Sequence, residues 1–243
     1  MTQTVVEISP RGGEASCALA GELVVPRLVR RVGRRVEVAL VAGRAMLLPG
    51  DEVRIEIRVG EGCTLDLVDI GGLVVYGRAG ETGAPSRWHA RIDLAQHASL
   101  GWDGLPTVIT DAGDLSRSLT VRLAHGSSAV LRETLVLGRT GERGGRLHAD
   151  ADIADAVGPI LRETLVVDGR DAVPGVLGDQ RVLDSILSLG EHGDASDVPG
   201  ATRLEFERGG WALRYLGDAA HRSPLNGARI GDAAQEREPV GTA

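Results

Sequence analysis

The hexapeptide Leu-Arg-Glu-Thr-Leu-Val occurs twice, at residues 131–136 and 161–166, and this duplication limits the fold more than any other feature of the chain. In each copy Leu, Glu and Leu (131, 133, 135 and 161, 163, 165) alternate with Arg, Thr and Val. That spacing suits a β-strand, whose successive side chains point to opposite faces. A 30-residue offset between the copies predicts stacked β units rather than one isolated hairpin.

Other stretches share the pattern. Residues 53–59 alternate, turn at Gly60-Glu61-Gly62 and return through 63–68. Residues 87–94 turn at Ala95-Gln96-His97 and return through 98–102; residues 119–123 turn at 124–128 and return through 129–131. Cys63, Ala98, Ala129 and Pro159 then stand just after successive turns, in steps of 35, 31 and 30. The expected architecture is mainly β: hairpin units of short antiparallel or mixed strands in helix-like, β-solenoid-like layers. Opening strands are expected at 3–8 and 15–25, then at 35–41 and 44–48. Residues 182–189 fit a strand slightly better than a helix, and 201–207 with 211–216 form a closing hairpin. A minor C-terminal α content is expected at 219–228, a single domain over 1–230, and a disordered polar tail over 231–243.

Only 2% of residues are aromatic, so the core must be built from Leu, Val, Ile and Ala. A deep aromatic-walled ligand pocket does not fit such a composition. The net charge of −7 argues against a nucleic-acid surface, and every basic residue is Arg. The one basic cluster, residues 27–35, is interleaved with apolar residues and reads as a solvated strand edge or a partner patch. Cys17 and Cys63 form no C-x-x-C pair. The first residues lack the pattern of a signal peptide, and no apolar run is long enough to span a bilayer. The expectation is a cytoplasmic chain with no membrane and no nucleic-acid partner.

The sequence has no G-x-S-x-G, and without Lys it has no Walker loop. The glycine-rich residues 138–145 lie between strands with no helix to follow, which favours a structural hairpin loop over a phosphate cradle. In residues 146–153, Leu147, Ala149, Ala151 and Ile153 are expected to face the core, with His148, Asp150 and Asp152 on the opposite face. Neighbours on one strand face stand about 7 Å apart. These three side chains therefore suit either successive weak stations for a divalent cation or a plain solvated face. Glu133 and Glu163 are expected to point inward or toward a partner, each paired with an Arg. His97 and His125 fall at tips of successive turns, which would bring them near each other.

Residues 47–211 resemble the UreD (UreH) family of urease accessory proteins. The resemblance rests on Leu48-Pro49-Gly50-Asp51 before an alternating strand and on residues 100–106, LGWDGLP. It rests most on residues 133–142, ETLVLGRTGE, similar to the family's glutamate, Gly-Arg and Gly-Glu signature. One departure lies at residues 69–77, which lack the Gln/Thr-rich strand with Lys that many members carry. The resemblance implies a non-catalytic β scaffold that binds the urease apoprotein subunits together with UreF and the GTPase UreG. It also implies nickel(II) in transit and no tightly bound cofactor. Under it, His148, Asp150, Asp152, Glu133 and Glu142 are candidates for the nickel path. Gly50, Asp51, Trp102, Gly138, Arg139 and Gly141 are signature positions for structure or partner contact. Two other classes fit the residues: a β-solenoid enzyme acting on carbohydrate through carboxylates such as Asp150 and Asp152, and a metal-free protein-binding β module.

Overall fold

A computed structural model describes residues 2–43, 47–77, 83–171, 173–190 and 197–227. Its strands form two sheets. The first holds β1 (Thr2–Arg11), β2 (Glu14–Ala20), β5 (Glu52–Val59), β8 (Ser86–Leu94), β11 (Asp114–Leu123), β13 (Arg146–Asp155) and β14 (Pro159–Asp168). The second holds β3 (Val24–Val32), β4 (Arg35–Ala42), β6 (Thr64–Ile70), β9 (Ser99–Asp103), β12 (Ser128–Leu137), β15 (Val182–Gly190), β16 (Thr202–Glu205) and β17 (Gly210–Gly217). The short strands β7 (Leu73–Val75) and β10 (Thr107–Ile109) add to the second sheet.

The chain is layered as the sequence predicts, but the repeating unit is an arch and not a hairpin. β5, β8, β11 and β13 pair in parallel in one sheet, while β6, β9 and β12 pair in parallel in the other. Each turn therefore carries the chain across from one sheet to the other instead of folding a strand back on its neighbour. A turn signal is common to both arrangements, and the pairing that separates them joins residues about 30 apart, outside any local pattern. Register also changes the spacing: Thr64, Ser99 and Ser128 align, so Ser127 and not Ala129 is the counterpart of Ala98. At Pro159 the arches stop, because β13 and β14 form an antiparallel pair in the first sheet. The two copies of the hexapeptide thus lie in opposite sheets, on β12 and β14.

Several boundaries move as well. The expected strand at 15–25 is split into β2 and β3, which lie in different sheets. Of the expected strand at 44–48, residues 44–46 lie outside the described residues and Leu47 and Leu48 are not in a strand. Residues 182–190 are a strand, and β16 pairs antiparallel with β17. The C-terminal helical content takes the form of two 3-10 turns, Ala220–Arg222 and Pro224–Gly227. The tail from 231 lies outside the described residues.

The facing sides of the sheets carry the core. Ile57, Leu65, Ile92, Leu100, Leu115 and Ile153 are all nearly or fully buried within it. The aliphatic composition permits this because Val, Ile and Leu stack well on pleated surfaces. A second, smaller core on the outer side of the second sheet packs Val130, Ile186 and Leu213 against Leu225 of the 3-10 region. Beneath it Asp184, fully buried, accepts hydrogen bonds from Arg132 at 2.9 and 3.2 Å and from Thr134 at 2.9 Å. The basic cluster forms an exposed hairpin edge of β3 and β4, where Arg35 grips Asp66 at 2.7 and 3.1 Å. Cys63 is buried, Cys17 half-buried, and both thiols are free. No helix among the described residues is long and apolar enough to cross a membrane.

Candidate functional site

Between the sheets lies a cavity of about 690 Å³. Most rows of side chains facing it are apolar: in the second sheet Leu67, Trp102, Leu131, Leu187 and Ala212 lie side by side. One step along the strands the character changes. Asp69 follows Leu67, and Glu133, Ser185 and Arg214 stand in register across β12, β15 and β17. On the first sheet Trp88, Arg117 and Ala149 form one row, and Ala90, Leu119, Ala151 and Glu163 the next. Asp69, Arg117, Glu133, Glu163 and Arg214 all line the cavity. A polar seam therefore runs through an aliphatic interior.

Each carboxylate in the seam has a partner, as burial demands. Glu133 pairs with Arg117 across the gap between the sheets. The same guanidinium lies 3.6 Å from the centre of the Trp88 ring, and Trp88 packs against Trp102 at 6.0 Å. Glu163 receives both terminal nitrogens of Arg214 at 2.5 Å, again from the opposite sheet. Asp69 accepts from Trp102 Nε1 at 3.0 Å and from the Leu105 amide at 3.1 Å. Burial pushes the Asp69 carboxyl above the usual range, and these two donors only partly offset it.

The inward aim of Glu133 and Glu163 and their Arg partners agree with the alternation of the strands. Asp69, Arg117 and Arg214 were missed. Arg117 sits among Ser and Thr in residues 116–120 and reads as solvated, and nothing local marks Asp69 as inward. The signal exists only as parity: Asp69 is in phase with Leu65 and Leu67, and Arg117 with Leu115 and Leu119.

The remaining sequence candidates lie outside the seam, although Asp150 also borders the cavity. His148, Asp150 and Asp152 share the outer face of β13, with Leu147 and Ile153 buried on the inner one. His148 Nε2 is 3.0 Å from Asp150, which also accepts from Thr164 at 2.6 Å. Asp152 is held by Arg122 at 2.7 Å and Arg162 at 3.4 Å, and the Arg122 contact foremost lowers its pKa. No cluster of three or more His, Cys, Asp or Glu able to hold a metal ion occurs among the described residues.

The signature residues build loops. Glu142 accepts from the Arg139 amide at 2.9 Å and from its guanidinium at 2.6 and 3.0 Å, which holds the Glu142 carboxyl below its ordinary range. Asp111 caps the Arg143 and Gly144 amides at 2.7 Å each. Arg181 donates to the carbonyls of Leu137, Gly138 and Arg139 at 2.6–2.9 Å. Residues 138–145 therefore form a stitched structural loop joining β12 to β13 across the sheets. Gly50, with φ +82°, allows a tight turn in which the Asp51 carboxylate accepts from the Leu48 amide at 2.8 Å. Trp102 holds Asp69.

Comparison with known proteins agrees with this architecture. The family model described as "UreD urease accessory protein" matches residues 19–224. Urease accessory protein UreD 1 of Streptomyces griseus is 39% identical over 186 residues, covering 76% of this chain and 72% of that protein. Urease accessory protein UreD of Frankia alni is 32% identical over 75% of this chain and 69% of its own length. The UreD of Streptomyces avermitilis is 30% identical over 90% and 82% respectively.

Proposed function

Because the chain belongs to the UreD family of urease accessory proteins, we propose that it is a non-catalytic scaffold of urease maturation in the cytoplasm. In this reading it binds the urease apoprotein together with UreF and the GTPase UreG, and nickel(II) crosses it through the cavity between the sheets. The observation that carries the reading is the polar seam of Asp69, Glu133 and Glu163 in a cavity walled mostly by apolar side chains.

The chemistry of the seam suits passage better than storage. Nickel(II) favours imidazole, carboxylate suits harder cations, and tight sites gather several ligands around one ion, so lone carboxylates hold nickel weakly. Here single carboxylates are spread over three strands, each already held by a guanidinium or by N–H donors. An arriving cation takes the place of the arginine's charge, and Arg117 or Arg214 reclaims the carboxylate when the cation leaves. Burial raises the Asp69 carboxyl pKa, and its Trp102 and Leu105 donors only partly offset this, so it too is an imperfectly compensated ligand. Each station is consequently weak, and weak stations release.

A carbohydrate-cleaving role fits less well. Such chemistry needs one carboxylic acid held protonated beside a second carboxylate. Asp152 is instead kept ionised by Arg122 and Arg162, and Asp150 is bonded to His148 and Thr164.

The test is co-expression with the urease subunits, UreF and UreG. Wild type should co-purify with them and support activation. Glu133→Gln and Glu163→Gln should keep the complex but lose most of the activation. Full activation by both variants overturns the route, and failure of wild type to join the complex overturns the scaffold.

A further inference from the structure

At one end of the sandwich the arches stack on one another. Three of them are four-residue turns closed by the same bond: Cys63 N–H to Gly60 at 3.1 Å, Ala98 to Ala95 at 3.1 Å, and Ser127 to Ala124 at 3.1 Å. The third position of each turn has a left-handed backbone, with φ of +62° at Gly62, +56° at His97 and +67° at Gly126. Glycine takes this conformation freely; most side chains strain it, and Asn, Asp and His tolerate it best. His97 is the one non-glycine residue with positive φ among the described residues, at a position where both neighbouring layers use glycine.

That strained histidine stands beside another. His97 donates its backbone N–H to the His125 carbonyl at 3.1 Å, which locks adjacent layers together. The two rings meet edge to face, with centres 5.9 Å apart and planes at 89°. Both residues are exposed, and neither imidazole has a hydrogen bond among the described residues. A methyl group at Gly126 would lie 2.5 Å from His97 Nδ1, so the ring rests over a backbone that only glycine leaves open.

We infer that His97 and His125 form a surface site for a borderline divalent cation of the zinc, nickel or copper class, held by two imidazoles and completed by water. Two imidazoles sharing one ion at about 2.0–2.1 Å per nitrogen have ring centres roughly 4.5–6.5 Å apart, depending on the angle at the metal. The observed separation falls within that range, so rotation of the rings about their side-chain bonds closes the site without moving the backbone. Imidazole selects this class of cation over calcium and magnesium, which take oxygen ligands. The left-handed backbone adds a weaker second point: an imidazole is kept at a position where both neighbouring layers use glycine. The site lies at the arch tips, apart from the seam, and stands whether or not the seam conducts nickel.

The test uses the full chain and zinc chloride alone, followed by the imidazole C–H resonances. Both the His97 and His125 signals should move together in one saturable titration that magnesium chloride does not reproduce. His97→Gly removes one ligand and relieves the turn, so this variant should melt higher than wild type in metal-free buffer. Loss of a ligand should weaken binding at least as much as loss of its supporting contact, which costs roughly 10–100-fold. His125→Gln should do the same, while His148→Gln leaves the two signals and their midpoint unchanged. Zinc binding by His97→Gly at wild-type affinity overturns the site, as does a titration in which only one of the two rings responds.

Discussion

Arg117 on the first sheet and Glu133 on the second meet across the interior, so one ion pair ties the two sheets together at mid-cavity. The Arg117 side chain is only 12% exposed and Glu133 is 34% exposed, so the arginine depends on its partner more than the glutamate does. Removing one member of a buried pair costs about 3–5 kcal/mol, because a charge is left without compensation. The Trp88 face returns part of that, up to about 2 kcal/mol. Glu133→Ala should therefore lower the unfolding free energy by roughly 1–5 kcal/mol, read by urea denaturation.

Replacing both partners separates stability from the proposed transport. A buried ion pair exchanged for well-packed apolar residues is often neutral or stabilising. Arg117→Met with Glu133→Leu should melt within a few degrees of wild type yet fail to support urease activation. If the double variant activates urease normally, the pair is a structural tie and the seam loses its central station.

The outer row of β13 makes the opposite prediction. Asp150 and Asp152 already spend their lone pairs on Thr164, His148, Arg122 and Arg162, of which only Arg122 is half-buried. Surface pairs of this kind contribute about 0–1 kcal/mol each. The triple change His148→Ala, Asp150→Ala, Asp152→Ala should keep the fold and leave urease activation near the wild-type level. A severe loss of activation with the complex intact would move the proposed nickel route from the interior to this face.

The sequence revealed faces more readily than neighbours. Alternation in residues 53–59 and 87–94 correctly turns Val53, Ile55, Trp88 and Ile92 inward, because a strand's period is local. Pairing is not local. Gly60-Glu61-Gly62 serves equally as a hairpin turn or as an arch, and only the parallel register of β5 with β8 decides between them. For the same reason Glu133 could be assigned an inward aim and an arginine, but not this arginine. Arg117 lies 16 residues earlier in the chain and reaches Glu133 through the opposite sheet. The His97–His125 approach was legible, since both sit at turn tips one layer apart; the left-handed backbone at His97 was not.

Two glycines of the signature loop should differ in cost. Gly138 has φ +72°, and an added methyl would sit 2.7 Å from the Gly144 nitrogen and 2.9 Å from the Glu142 carbonyl group. Gly141 has φ +83° but open space around it. Alanine at 141 should therefore cost only the left-handed penalty of roughly 1–2 kcal/mol. Alanine at 138 adds a backbone clash that must push apart the strands leaving the loop. Thermal melts should rank wild type above Gly141→Ala and that above Gly138→Ala; equal melting of the two variants would show that the loop yields freely.

Asp69 gives the pH prediction. Its folded pKa is raised above the unfolded value, chiefly by burial. The protonated form is therefore favoured by folding, and that contribution is fully present below the unfolded value near 3.8. It is lost as pH rises through the folded value, after which the ionised carboxylate is a constant burden. Asp69→Asn cannot titrate and keeps an oxygen for the Trp102 N–H. Wild type should consequently lose stability relative to Asp69→Asn as pH rises from about 3.5 toward neutrality, then run parallel to it. Denaturation curves of both proteins across that range supply the measurement. A wild type that gains on the variant with rising pH would mean that the Trp102 and Leu105 donors outweigh burial at Asp69.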